Sequence, residues 1–164
     1  MNNIWLFEYK KMKNDAGLIF IEKPFEINDQ VRLACLPKTS FSYGSTCYAS
    51  GWGDTNTDDN GKGVDADHLM TAPLKTIDKP ECYQAMAKKY ETMINNETFK
   101  LIYDELGPGG ICASNSPKSV CSGDSGGPLI CNQNGKAVVH GIASAVFFGI
   151  YTHGQKLLIK LCYL

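Results

Sequence analysis

At 164 residues the chain is long enough for one domain with its own core and too short for two large ones. Its apolar share of 43% and charged share of 20% are ordinary for a globular protein. The 16 basic residues nearly balance the 17 acidic ones, which leaves no electrostatic foothold for nucleic acid or an anionic membrane. No run approaches the roughly 18 apolar residues of a membrane-spanning helix. The apolar stretch Ile4 to Phe7, cut off by Glu8, is too short for the core of a secretory leader. The 7 cysteines contain no C-x-x-C pair and no Cys/His quartet that would hold zinc, so disulfides in an oxidising compartment are expected. An odd count leaves at least one thiol without a partner inside the chain.

In chain order, short apolar runs at Leu18 to Ile21 and Val31 to Leu36 predict strands, separated by the turn formers Asn28-Asp29. Asp54 to Asp67 is polar, contains Asn60-Gly61 and Gly63, and predicts an exposed loop between two strands. Pro80 to Leu106 departs from the β pattern: Met86, Tyr90, Met93 and Ile94 recur at helical spacing and predict one helix or two. Further on, Leu129 to Cys131 and Ala137 to Ala143 predict two strands joined by Asn134-Gly135, a strong hairpin signal. The closing segment Ile150 to Leu164 carries Leu157, Leu158 and Leu161 at i, i+1 and i+4, a spacing that leans to a helix and leaves a strand open. No internal repeat or low-complexity tract interrupts this pattern, and the class that emerges is all-β.

The densest chemical signal is Cys121-Ser122-Gly123-Asp124-Ser125-Gly126-Gly127-Pro128-Leu129, where three glycines and a proline predict a tight loop around Ser125. A serine hydroxyl is a weak nucleophile. It needs a base to take its proton and backbone N–H groups to hold the oxyanion formed when it attacks a carbonyl. Gly123 and Ser125 are placed to supply those N–H groups, glycine permitting the turn. A Gly/Ser-rich stretch is more often a plain flexible loop, but the flanks argue otherwise. The run G-D-S-G-G-P-L from Gly123 to Leu129 resembles the nucleophile motif of the chymotrypsin-like serine proteases at every position.

The resemblance extends along most of the chain. Asn14-Asp15-Ala16-Gly17-Leu18-Ile19 is similar to the family's segment around the triad aspartate, which gives Asp15 that role. Ala34-Cys35-Leu36-Pro37 is similar to the interdomain stretch, and Gly51-Trp52-Gly53 to the start of the second barrel. Glu81-Cys82 and Ile111-Cys112-Ala113 are similar to the ends of the family's disulfide-closed loop. The resemblance implies an all-β, chymotrypsin-like antiparallel β-barrel: residues 1–37 as a remnant of a first barrel with the interdomain segment, and 38–164 as a second barrel. It also implies the disulfides Cys47–Cys131 and Cys82–Cys112, and it leaves Cys35 and Cys121 without their usual partners and Cys162 unassigned. Ser119, six residues before Ser125, resembles the base of the primary specificity pocket. A neutral serine there would favour an apolar or aromatic side chain over Lys or Arg, whose desolvated charge would meet no carboxylate. Gly141-Ile142-Ala143-Ser144-Ala145 resembles the strand lining the substrate cleft, with Ser144 near the triad aspartate.

The pattern also breaks. The family's base is a histidine before the aspartate, yet none of the residues before Asp15 is a histidine. His68, His140 and His153 all follow it, in settings that suggest surface or packing roles. In the family a new N-terminal amine pairs with the aspartate before the nucleophile. Without it Asp124 is expected to lack a counter-charge, leaving the oxyanion loop poorly formed unless its carboxylate faces water. Ala145 stands where the family has tryptophan, Val146 to Phe148 runs directly into Gly149-Ile150-Tyr151-Thr152 without the family's cysteine-bearing loop, and Gln155 to Leu164 does not resemble its closing helix.

Weaker motifs add little. Asp54, Asn56, Asp58, Asp59 and Asn60 have no glycine at the sixth loop position and no closing glutamate, so calcium is not expected. Gly107-Pro108-Gly109-Gly110 lacks the Gly-Lys-Ser/Thr ending of a phosphate loop and predicts a turn. Asn96-Glu97-Thr98 is a glycosylation sequon.

Together these readings give an extracellular serine endopeptidase that cleaves peptide bonds through an acyl-enzyme, without metal or cofactor. It would act on protein or peptide substrates and meet protease inhibitors, and is present as a fragment without the catalytic histidine and inactive alone. A non-catalytic homologue that binds a partner through the protease surface stays open, as does a remnant without function.

Overall fold

Alternation of small buried and polar exposed side chains builds the sheet. In β1 (Thr46–Gly51) Cys47 and Ala49 point inward while Thr46 and Tyr48 face out, the period-2 signature of a half-buried antiparallel strand. The same alternation places Ala72, Leu74 and Thr76 of β4 (Met70–Ile77) and Leu129 and Cys131 of β6 (Pro128–Gln133) inside. β5 (Gly110–Ser114) is buried from Ile111 onward. With β7 (Lys136–Thr152) and β8 (Gln155–Tyr163), these strands form a closed antiparallel barrel in the order β1-β4-β5-β8-β7-β6. Closure runs through β1 and β6, where Cys47 faces Cys131, and removes both free edges. The computed structural model describes residues 15–39, 42–57, 63–90, 110–115, 119–152 and 155–163.

The disulfides stand where the resemblance puts them. Cys47–Cys131 joins β1 to β6 across the closing seam, with a Cα–Cα separation of 4.3 Å. Cys82–Cys112 ties the helix α1 (Lys79–Tyr90) to β5. α1 starts where Asp78 accepts the Glu81 N–H at 2.8 Å through its carboxylate, an N-cap, with Pro80 in the first turn where no donor is needed. The helix agrees with the periodicity read from Pro80 onward; residues 91–109, with the sequon and most of the Gly-Pro-Gly-Gly turn, lie outside the described residues. At the other signalled turn, Asn134 and Gly135 both adopt left-handed backbone, with φ of 54° and 77°, and join β6 to β7 as a two-residue hairpin.

Three expectations are corrected. The polar stretch from Asp54 is not simply a loop: β2 (Asp54–Thr57) and β3 (Gly63–Asp65) pair as a two-stranded ribbon, while residues 58–62 lie outside the described residues. The C-terminal segment is strand β8, not a helix. It fills the gap between β5 and β7, where Ile159 faces Ala113 on one side and Val146 on the other, so ladders on both sides satisfy its backbone. Finally, Leu18 to Ile21 and Val31 to Leu36 form no strands. Between them Asn28 closes an Asx turn, its side-chain oxygen accepting from Gln30 and Val31 at 2.8 and 3.0 Å. Among the described residues, this segment's one ladder contact is a parallel bridge from Cys35 to Val138, with Val139 N–H donating to Cys35 O at 2.9 Å. Leu18, Ile19, Phe20 and Leu33 are at least 84% exposed; apolar content alone makes no strand where no neighbouring strand takes up the backbone groups.

Candidate active site

The loop before β6 is shaped by two consecutive turns. Asp124 N–H donates to Cys121 O at 3.1 Å and Gly127 N–H to Asp124 O at 3.0 Å. Its far side is sewn to β7, with Gly126 N–H donating to Ala143 O and Ala143 N–H to Gly127 O, both at 2.8 Å. Gly123 adopts a φ of +92°, a conformation costly for any residue with a side chain. Ser125 is thereby held on an exposed turn just before β6. Neither its N–H nor that of Gly123 donates to another described residue. A serine hydroxyl beside two uncommitted backbone donors is an arrangement on which a tetrahedral oxyanion could be stabilised.

Asp124 shows why the loop keeps this shape. Its carboxylate accepts the N–H groups of Gly53 and Cys121, each at 2.8 Å. The half-buried carboxylate therefore has two backbone donors in place of the counter-charge that the family pattern would supply. The space it fills is provided by glycine: a Cβ on Gly53 would lie 2.6 Å from Asp124 Cγ, and one on Gly51 would also collide with the carboxylate. Asp54 N–H donates to Ser122 O at 2.8 Å and completes the buttress. Sequence reasoning assigned Gly51-Trp52-Gly53 to the barrel start and missed this cradle, whose only signal is the pair of glycines.

On the other flank, Ser144 Oγ donates to Asp15 Oδ2 at 2.7 Å. Both groups are half-buried, and the contact ties the described start of the chain to β7, one residue beyond the Ala143 that holds the Ser125 loop. Ser125 makes no hydrogen bond to Asp15 or Ser144. Ser119 sits apart from it, lining a cavity of about 250 Å³ with Asp124, Gly53, Met70 and Ala72. The Ser119 hydroxyl is buried there without a hydrogen-bond partner among the described residues. Ser125 belongs to a second cavity of about 430 Å³, walled by Trp52, Leu69 and Pro128.

Among the described histidines, His68 is exposed in the segment before β4. His140 is fully buried on β7, at the register shift opposite Leu129 and Ile130, and burial lowers its pKa by penalising the charged imidazolium. Neither is hydrogen-bonded to Ser125, and His153 lies outside the described residues. Cys35 and Cys121 are free thiols, while the side chain of Cys162 is not described. Among the described residues no group of three or more His, Cys, Asp or Glu side chains is arranged to hold a metal ion.

Residues 3–160 match the model of the Trypsin family. Among solved structures the chain is similar to neuropsin, a serine protease expressed in the limbic system of mouse brain, with a TM-score of 0.59 and 22% sequence identity. That similarity covers 86% of this chain and 53% of neuropsin, so the chain spans about half the length of the solved protease it matches.

Proposed function

The chain belongs to the trypsin family, and from that membership we propose that it is the nucleophile-bearing part of an extracellular serine endopeptidase acting on protein substrates. In this reading residues 38–164 are the second barrel and 1–37 the end of the first. Ser125 attacks the scissile carbonyl, the N–H groups of Gly123 and Ser125 receive the oxyanion, and Asp15 orients the imidazole that takes the serine proton. The supporting observation is the 2.7 Å bond from Ser144 to Asp15, which fixes the carboxylate against the strand that also anchors the nucleophile loop.

No histidine precedes Asp15 within these residues, so in this reading the general base is not among them and the 164 residues alone would be inactive. The cavity beside Asp124 is where the amine of a newly cut N-terminus would pair with the carboxylate, as the family resemblance implies. Ser119 would disfavour a basic side chain before the scissile bond. Disulfides and family membership together support secretion.

A second reading, a non-catalytic protease homologue that binds a partner, is favoured by one observation: no described histidine hydrogen-bonds Ser125. Exogenous imidazole discriminates the two. If the nucleophile site is intact, imidazole supplied as the missing base accelerates fluorophosphonate labelling at Ser125, and Ser125→Ala abolishes it. Labelling that ignores imidazole, or falls equally on other serines, supports the binding module.

A further inference from the structure

The ribbon β2–β3 brings a carboxylate to the nucleophile loop that no part of the catalytic reading uses. Asp65, exposed at the end of β3, places Oδ1 3.7 Å from the position a Cβ on Gly123 would occupy. The placement is held from both sides: Asp54, opposite Asp65 in the ribbon, donates its N–H to Ser122 O at 2.8 Å, and Ala66 N–H donates to Trp52 O at 3.2 Å. The Asp65 carboxylate makes no hydrogen bond or ion pair with any other described residue.

A fixed negative charge beside Gly123 opposes the oxyanion that the Gly123 N–H is there to receive. A cation brought by the substrate removes that opposition. The side from which it comes follows from the loop's two flanks: β7, with Ser144, lies against Gly126 and Gly127, while the ribbon lies against Ser122 and Gly123. A substrate whose acyl side runs along Ser144 leaves the ribbon facing the departing half.

We propose that Asp65 is a specificity-determining residue that selects peptides carrying Lys or Arg just beyond the scissile bond, on the leaving-group side. The inference rests on the protease reading of this loop. Because Asp65 is exposed, the effect is modest and salt-sensitive.

Binding by the oxidised chain tests it without requiring turnover. Acetylated peptides with a single Phe, followed after one Ala by Arg, Ala or Glu, are titrated by fluorescence anisotropy at low ionic strength against the wild type and Asp65→Asn. The Arg peptide is expected to bind about two- to fivefold more tightly than the Ala peptide, and the Glu peptide more weakly than either. The ranking should flatten in Asp65→Asn and at high salt. Equal binding of all three peptides, or an Arg preference that survives Asp65→Asn, overturns the proposal and leaves the protease reading standing. Failure of every peptide to bind also overturns the proposal, whereas the protease reading, which gives these residues only part of the cleft, stands or falls on labelling at Ser125.

Discussion

Ser144 Oγ and Asp15 Oδ2 meet at 2.7 Å across 129 residues of sequence, and the bond tethers the N-terminal segment to β7 next to Ala143, whose backbone holds Gly126 and Gly127. Among the described residues, the segment's next polar tie to the barrel is the bridge at Cys35. Ser144→Ala should therefore cost about 1 kcal/mol and loosen residues 15–34 well before the barrel melts. Hydrogen exchange would show lost protection in that segment with β1, β4 and β6 unchanged; uniform loss throughout would mean that the contact is not a local tether.

The two hydrogen bonds to Asp124 set a second expectation. Asp124→Ala leaves the Gly53 and Cys121 donors without a partner, at about 1–3 kcal/mol each if water cannot replace the carboxylate. Gly53→Ala attacks the same cradle by collision rather than by deletion. Chemical denaturation should rank both variants clearly below wild type, with Asp124→Asn between, since an amide oxygen retains at least one acceptor. A neutral outcome for Gly53→Ala would show that the loop can move away from β1 at little cost.

Barrel closure depends more on one disulfide than on the other. Cys47–Cys131 spans a separation of 84 residues and Cys82–Cys112 one of 30. On the chain-entropy relation these correspond to about 4.5 and about 3.6 kcal/mol. Paired Cys→Ala variants should thus lose more stability at the β1–β6 seam than at the helix, as read by thermal melting under oxidising conditions. The reverse order would place the weight of the fold at α1.

Acidification should weaken the fold through His140. Burial lowers its folded pKa below the ordinary 6.5, so between these values the unfolded chain binds the proton that the native state refuses. Stability is unaffected by this group above about pH 6.5 and declines as the pH falls below it. Other side chains titrate over the same range, so the diagnostic quantity is the difference between wild type and His140→Gln. Melting temperature should fall more steeply from pH 7.5 to 5 in the wild type; parallel profiles would remove His140 from acid sensitivity.

The parts of the fold legible in the sequence are those where one local pattern admits one answer. Asn134-Gly135 requires left-handed backbone twice and sits between two apolar runs, so the β6–β7 hairpin could be read directly. Leu157, Leu158 and Leu161 lean to a helix by spacing without excluding a strand, and the place between β5 and β7 decides for β8. Leu18 to Ile21 has the composition of a strand, but pairing is a property of two segments and composition reports one. At the site, Ser125 and its glycines were readable as a motif. The Asp124 cradle was not, because nothing beside Trp52 indicates that the space next to Gly53 is filled by a side chain 71 positions away.

The most direct test of the protease assignment is site mapping of fluorophosphonate adducts on the protein isolated from its natural source, in whatever longer polypeptide or complex carries these residues. A single adduct on Ser125, abolished by Asp15→Asn in the same polypeptide and blocked by a peptide substrate, is the expected result. An unlabelled Ser125 in protein that is present, oxidised and folded would contradict it, and would leave this barrel as a protease-shaped binding surface.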